Sequence, residues 1–168
     1  YTTREHHWDE AFGYYTPAPN FPIEGADRFW SKYSNVVDAH LGTNAAIMNA
    51  YLAGRAAIAN DDFTNKDLAV ITIKTQLERV AAGAAIHYLN GAHANFANDA
   101  KRNHELSEAL AFINCLRYNT DATISPIEIN AIADIIGDNL YEVTMNDLME
   151  ARNELSAKFG MDAVKELL

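Results

Sequence analysis

Helix-start signatures recur from one end of this chain to the other, while no stretch alternates apolar and polar residues as a half-buried strand would. Thr2 with Glu5 forms a capping-box pattern, in which a hydroxyl accepts from an orphan helical amide and an acid reaches back to the cap amide. Ser125-Pro126-Ile127-Glu128 is the fullest start, with N-cap, Pro at the first helical position and capping Glu together. Thr144 and Asp147 open another helix. The expected fold class is therefore all-α.

Periodicity extends these starts into elements. A first helix is predicted from Thr3 to about Tyr15, followed by a loop over 16–25 that holds three of the four prolines. A second runs from Ala26 to Leu41, with Phe29, Trp30, Tyr33, Val36 and Val37 as its apolar stripe and core, and Gly42 as its stop. An Ala-rich third helix spans Asn44 to about Asn60. Thr64 with Asp67 predicts the next start, with Phe63 packing on Leu68 as a hydrophobic staple, and the helix weakens only at Gly91. Its Ala81–Ala85 segment carries so little side chain that a close helix approach is expected there. Later helices are predicted over Lys101–Asn119, from Ser125 to Gly137 with an Ile124–Ile129 staple, and from Thr144 to Phe159 with Gly160 as C-cap. The expectation is one bundle of about seven helices over residues 1–168.

Composition narrows the function classes. With 49% apolar and 21% charged residues, the 168-residue chain can bury a core and lies far from disordered sequences. A formal charge of −10, with the Lys and Arg residues scattered singly, argues against nucleic acid and anionic membrane as partners. The apolar runs Leu68–Ile73 and Ala81–Ile86 are far too short to cross a bilayer. Cys115 is the single cysteine, so no internal disulfide forms, and its apolar neighbours in Leu110–Leu116 make it a small core residue. There is no signal peptide and no initial Met, so a processed or truncated piece is expected, with any targeting segment or lipid anchor outside this chain.

Most catalytic signatures are absent from the sequence. His104-Glu105 resembles the opening of a zinc-protease helix, but position 108 is Glu where that motif needs a second His. No Gly-rich phosphate loop, Cys pair, nucleophile elbow or EF-hand loop occurs. What remains is a density of imidazoles and carboxylates on two helices. His6, His7, Asp9 and Glu10 surround Trp8, with His7 and Glu10 three residues apart and His6 and Glu10 four apart. His104 and Glu108 stand four apart, with Ser107 beside them. A His/Glu pair on each of two facing helices is how bundles assemble zinc or iron sites, which makes His7, Glu10, His104 and Glu108 the candidate metal ligands. The competing reading is structural: His and Glu one turn apart form surface ion pairs, and His beside Trp is often a hydrogen-bonded core residue. His40 fits a helix C-terminus, and His87 and His93 lack a carboxylate one turn away.

The block Arg4-Glu5-His6-His7-Trp8-Asp9-Glu10-Ala11-Phe12-Gly13-Tyr14, then Gly25-Ala26-Asp27-Arg28-Phe29-Trp30, then His104-Glu105-Leu106-Ser107-Glu108-Ala109 with Phe112-Ile113, resembles a family of bacterial envelope lipoproteins, domain of unknown function 4856. That family looks imelysin-like, on the pattern His-x-x-Glu met here by His7 and Glu10, and more loosely on Leu-Ser-Glu around Ser107 and Glu108. Glu5 stands where the imelysin pattern has a Gly two residues before its His. The resemblance implies a helical protein of the periplasm or cell surface, non-enzymatic, that serves iron, haem or other metal uptake. It implies that this chain is the C-terminal half of such a protein, partnered by the N-terminal half or by another envelope protein, with iron or zinc as the bound ion. Two alternatives stand beside it: a metallopeptidase using the same four side chains, and an interaction subunit of an envelope complex that binds no metal.

Overall fold

The computed structural model describes residues 1–168 and contains seven α-helices, one short 3₁₀ turn and no strand, the all-α class that capping and periodicity predict. Its helices fall into two compact units, Tyr1–Val80 and Ala81–Leu168.

The first unit holds α1 (Thr3–Tyr15), α2 (Phe29–Leu41), α3 (Thr43–Ala59) and the beginning of α4 (Phe63–Ala94). Thr2 caps α1 as expected: its hydroxyl accepts from the Glu5 amide at 3.3 Å, and its own amide donates to Glu5 Oε2 at 2.6 Å. The first three helices pack on one another around Tyr15, Phe21, Val37, Ile47, Tyr51 and Ile58. Rings dominate this core. Tyr15 stacks on Tyr51 with centroids 5.7 Å apart, and Phe21 and Phe12 meet the two tyrosines edge-on at 5.2 Å.

The second helix departs from expectation at both its start and its inner face. It begins at Phe29 rather than Ala26, because Gly25 takes a left-handed conformation and the Ser31 hydroxyl lies 2.6 Å from both the Gly25 and Arg28 carbonyls, holding 25–28 as a turn. Its buried residues are Ser31, Ser34 and Val37, while Phe29 is 59% exposed and is no core residue. The small polar stripe is inside because α1 and α3 supply partners for it. Ser34 Oγ accepts from the Tyr15 hydroxyl at 3.3 Å, lies 2.9 Å from Thr43 Oγ1, and donates to Asn44 Oδ1 at 2.8 Å. Gly42, at φ +64°, turns the chain between the two helices, and the Asn44 amide donates to Asp38 Oδ1 at 2.7 Å.

The next start also shifts. Phe63 is already helical, and Asp62, not Thr64, caps it by accepting from the Asn65 amide at 3.1 Å. That bond holds the Asp62 carboxyl below its ordinary range. With Asp62 as the cap, Phe63 is the first helical residue rather than the one before the cap that a staple uses, and the Arg4 guanidinium lies over its ring, 4.5 Å from the centroid.

The second unit comprises the rest of α4 with α5 (Asp99–Cys115), a 3₁₀ turn at Leu116–Tyr118, α6 (Pro126–Ile136) and α7 (Met145–Phe159). The small segment Ala81–Ala85 is buried throughout. The fifth helix is shorter than predicted and tightens into the 3₁₀ turn, whose Leu116 is buried. The α6 start matches expectation: Ser125 and Glu128 form a complete capping box, and Ile124 and Ile129 are both buried. Thr144 caps α7 and left-handed Gly160 ends it. Around Leu106, Ile113, Ile132, Leu148 and Leu155 the α5–α6 and α6–α7 contacts close an aliphatic core. Cys115 is half-buried there, and burial pushes its thiol up.

Candidate functional site on the first helix

The eleven-residue block that carries the family resemblance lies on α1, and Glu5, Trp8, Asp9 and Phe12 within it fasten that helix to α3. The Trp8 ring occupies the space that a Cβ on Gly54 would fill, and its indole N–H donates to the Tyr51 carbonyl at 3.0 Å. Arg55, the next residue on α3, donates to Glu5 Oε1 at 2.7 Å and to Asp9 Oδ1 at 2.9 Å. Glu5 therefore serves twice, in the cap and in the ion pair. The Thr2 amide and then the Arg55 guanidinium lower its carboxyl from 4.5 to about 2. Tyr1 closes the outer side, its hydroxyl donating to Asp9 Oδ2 at 3.1 Å.

The imidazoles lie on the solvent side of the helix. His6 Nε2 is 3.4 Å from Glu10 Oε1, with both side chains about half exposed, at 54% and 55%. Of the two imidazoles within one turn, Glu10 thus takes the one four residues away and not the one three away. His7 is exposed and makes no bond to Glu10. It instead lines a groove of about 590 Å³ with Arg4, Trp8, Ile58, Phe63 and Lys66. In the second unit His104 is exposed and Glu108 half-buried on α5. Ser107 between them turns its hydroxyl back to the Asn103 carbonyl at 2.7 Å.

His7 and Glu10 thus belong to the first unit, and His104 and Glu108 to the second. In neither unit do three or more His, Cys, Asp or Glu side chains gather around one point. A catalytic zinc takes three protein ligands and a structural zinc four, so the donors present in either unit do not fit a resident zinc or iron ion.

Gly54, Arg55 and Lys66 are the residues that sequence reasoning passed over, and Phe63 entered it only as a staple. The contacts that give Arg55 its role join positions 46 and 50 residues apart, which no helical period reveals. One local signal existed: Gly54-Arg55 interrupts an Ala-rich helix, and a glycine inside a helix marks a close approach.

Neither the curated proteins nor the solved structures offer a match to this sequence. A family model does, over residues 1–162, which takes in the α1 block, the α1–α3 joint and both units almost entire. The chain belongs to the family described as domain of unknown function DUF4856.

Proposed function

We propose that this chain works by binding rather than by catalysis, as a helical interaction domain of a cell-envelope protein. The observation that carries this reading is the exposure of Leu68 and Ile71, three residues apart on α4 and 55% and 58% accessible. Leu68 lines a shallow groove of about 700 Å³ together with Ala50, Ala53, Ala57 and Ala69. Large apolar side chains at helical spacing beside a small-residue surface are what a partner helix covers. The acids of α1 that would serve chemistry are meanwhile engaged with Arg55, Thr2 and His6. The likeness to envelope lipoproteins supports the periplasm or cell surface as the location, and another envelope protein or a further part of the same protein as the partner.

A photo-crosslinking residue in place of Ile71, introduced in producing cells, tests this reading. A single discrete adduct that disappears on Leu68→Asp is the expected result. The absence of any adduct, or an adduct indifferent to Leu68→Asp, overturns it.

Uptake of iron, haem or another metal as cargo is a second reading, favoured by the His6–Glu10 pair with His7 beside it. Passing cargo needs fewer protein donors than a resident site, and the half-exposed imidazole of His6 and carboxylate of Glu10, 3.4 Å apart, supply two. Titration of Fe and Zn ions into the purified chain, with His6→Ala and Glu10→Ala as controls, tests it. Binding near one equivalent that both variants lose supports cargo handling; no binding overturns it.

A further inference from the structure

The groove beside His7 joins an apolar floor to a cationic lip, within a chain of net charge −10 whose basic residues are otherwise dispersed. Trp8, Ile58, Phe63 and Val70 provide the floor, and Arg4, His7 and Lys66 the lip. Arg4 is the member of that lip best suited to hold an anion. Its guanidinium is set in place by stacking 4.5 Å above the Phe63 ring, which engages the face of the group and leaves its N–H donors free. No carboxylate of the chain pairs with it, whereas Lys66 is shared with Asp67. Trp8 meets the groove as an apolar surface, because its one donor is already taken by the Tyr51 carbonyl. A volume of about 590 Å³ lies within the range of small-ligand sites.

We propose that this groove binds an amphipathic carboxylate, its acyl or aryl body lying on Trp8, Phe63 and Ile58 and its acid group held by the Arg4 guanidinium. Charge complementarity selects the anion, since a neutral molecule of the same length meets the floor alone. The site is distinct from the Leu68 and Ile71 surface, so a small ligand here and a macromolecular partner there are separate events.

The sequence holds two tryptophans, Trp8 and Trp30, so Trp30→Phe leaves the floor of the groove as the only indole reporter. Dodecanoate below its micelle concentration, titrated into this variant, is expected to give a saturable change in Trp8 fluorescence. Dodecanol is expected to bind at least about tenfold more weakly, and Arg4→Gln to weaken dodecanoate about tenfold while leaving dodecanol unchanged. Val70→Glu, which sets an acid in the floor, is expected to abolish both. Circular dichroism confirms the fold of each variant, and where Trp30→Phe fails to fold, the Trp8 indole N–H resonance of the unaltered chain is followed by NMR. No saturable response, equal binding of acid and alcohol, or a folded Arg4→Gln that binds dodecanoate normally overturns the proposal.

Discussion

Trp8 on α1 and Gly54 on α3 share one space: a single methyl group at position 54 would collide with the Cζ2–Cη2 edge of the Trp8 ring, with the Ala69 methyl 3.0 Å away. A rigid indole cannot yield as the end of a flexible side chain does. Alanine is ordinarily the better helix former by about 1 kcal/mol, yet overpacking here should outweigh that preference. Gly54→Ala is expected to destabilise the chain by about 1–3 kcal/mol. Urea denaturation checks it, and combining Gly54→Ala with Trp8→Leu should recover part of the loss. A stabilised Gly54→Ala protein would mean that α1 does not seat on α3 in this way.

Two carboxyls give the protein a defined acid limit. Glu5, held by the Thr2 amide and Arg55, and Glu128, held first by Lys158 and then by Ser125, are each lowered from 4.5 to about 2. The folded state therefore binds these protons less readily than the unfolded chain, and their contribution is complete above about pH 4.5. As the pH falls from there through about 2, that contribution is lost. Urea midpoints at pH 6 and pH 3 should fall more for the unaltered chain than for Glu5→Gln or Glu128→Gln, which lack the ionisation. Equal slopes in all three proteins would remove these acids from the account.

What was legible in the sequence follows from the range of the interactions involved. The caps at Thr2, Ser125 and Thr144 rest on atoms three residues apart, and all three stand in the structure as the local pattern requires. Arg55 and its acids, or Ser34 and the Tyr15 hydroxyl, are chosen by tertiary packing, which leaves no period to read. The second helix shows the cost of reading period alone: its aromatic stripe satisfied the helical spacing, but hydroxyls with ready partners on two neighbours went inside instead. At position 62 a carboxylate two residues ahead of the anticipated threonine captured the cap. On α1, the spacing of His6, His7 and Glu10 permitted two pairings, and only the geometry of the turn chose between them.

The Ser34 hydroxyl is the hinge of the polar cluster inside the first unit, fully buried and bonded to three side chains. Ser34→Ala removes one partner from each and leaves Asn44 Oδ1 without the donor it had. Losing a partner for a buried polar group costs about 1–3 kcal/mol, so a destabilisation of that size is expected. Ser34→Thr keeps the hydroxyl but adds a methyl to a closed space, and should recover less than full stability. Thermal unfolding compares the two, and an unchanged Ser34→Ala midpoint would indicate that water replaces the missing group.

The His-x-x-Glu pair behaves differently from its neighbours in the same block, and a comparison along α1 exposes the difference. Glu10 gains a half-exposed partner in His6, an arrangement worth about 0.2–0.5 kcal/mol on a helix surface, and His7 gains no hydrogen bond at all. His7→Ala and Glu10→Ala should each shift stability by no more than about 0.5 kcal/mol, the usual range for an exposed site. Trp8→Ala should cost well above 1 kcal/mol, because it empties the seat against Gly54 and removes the indole N–H bond to the Tyr51 carbonyl. Urea denaturation of the three variants in parallel measures the contrast. If His7→Ala or Glu10→Ala proved as damaging as Trp8→Ala, the two side chains would be holding the fold rather than standing free on its surface, and neither the cargo reading nor the groove at His7 would keep its footing.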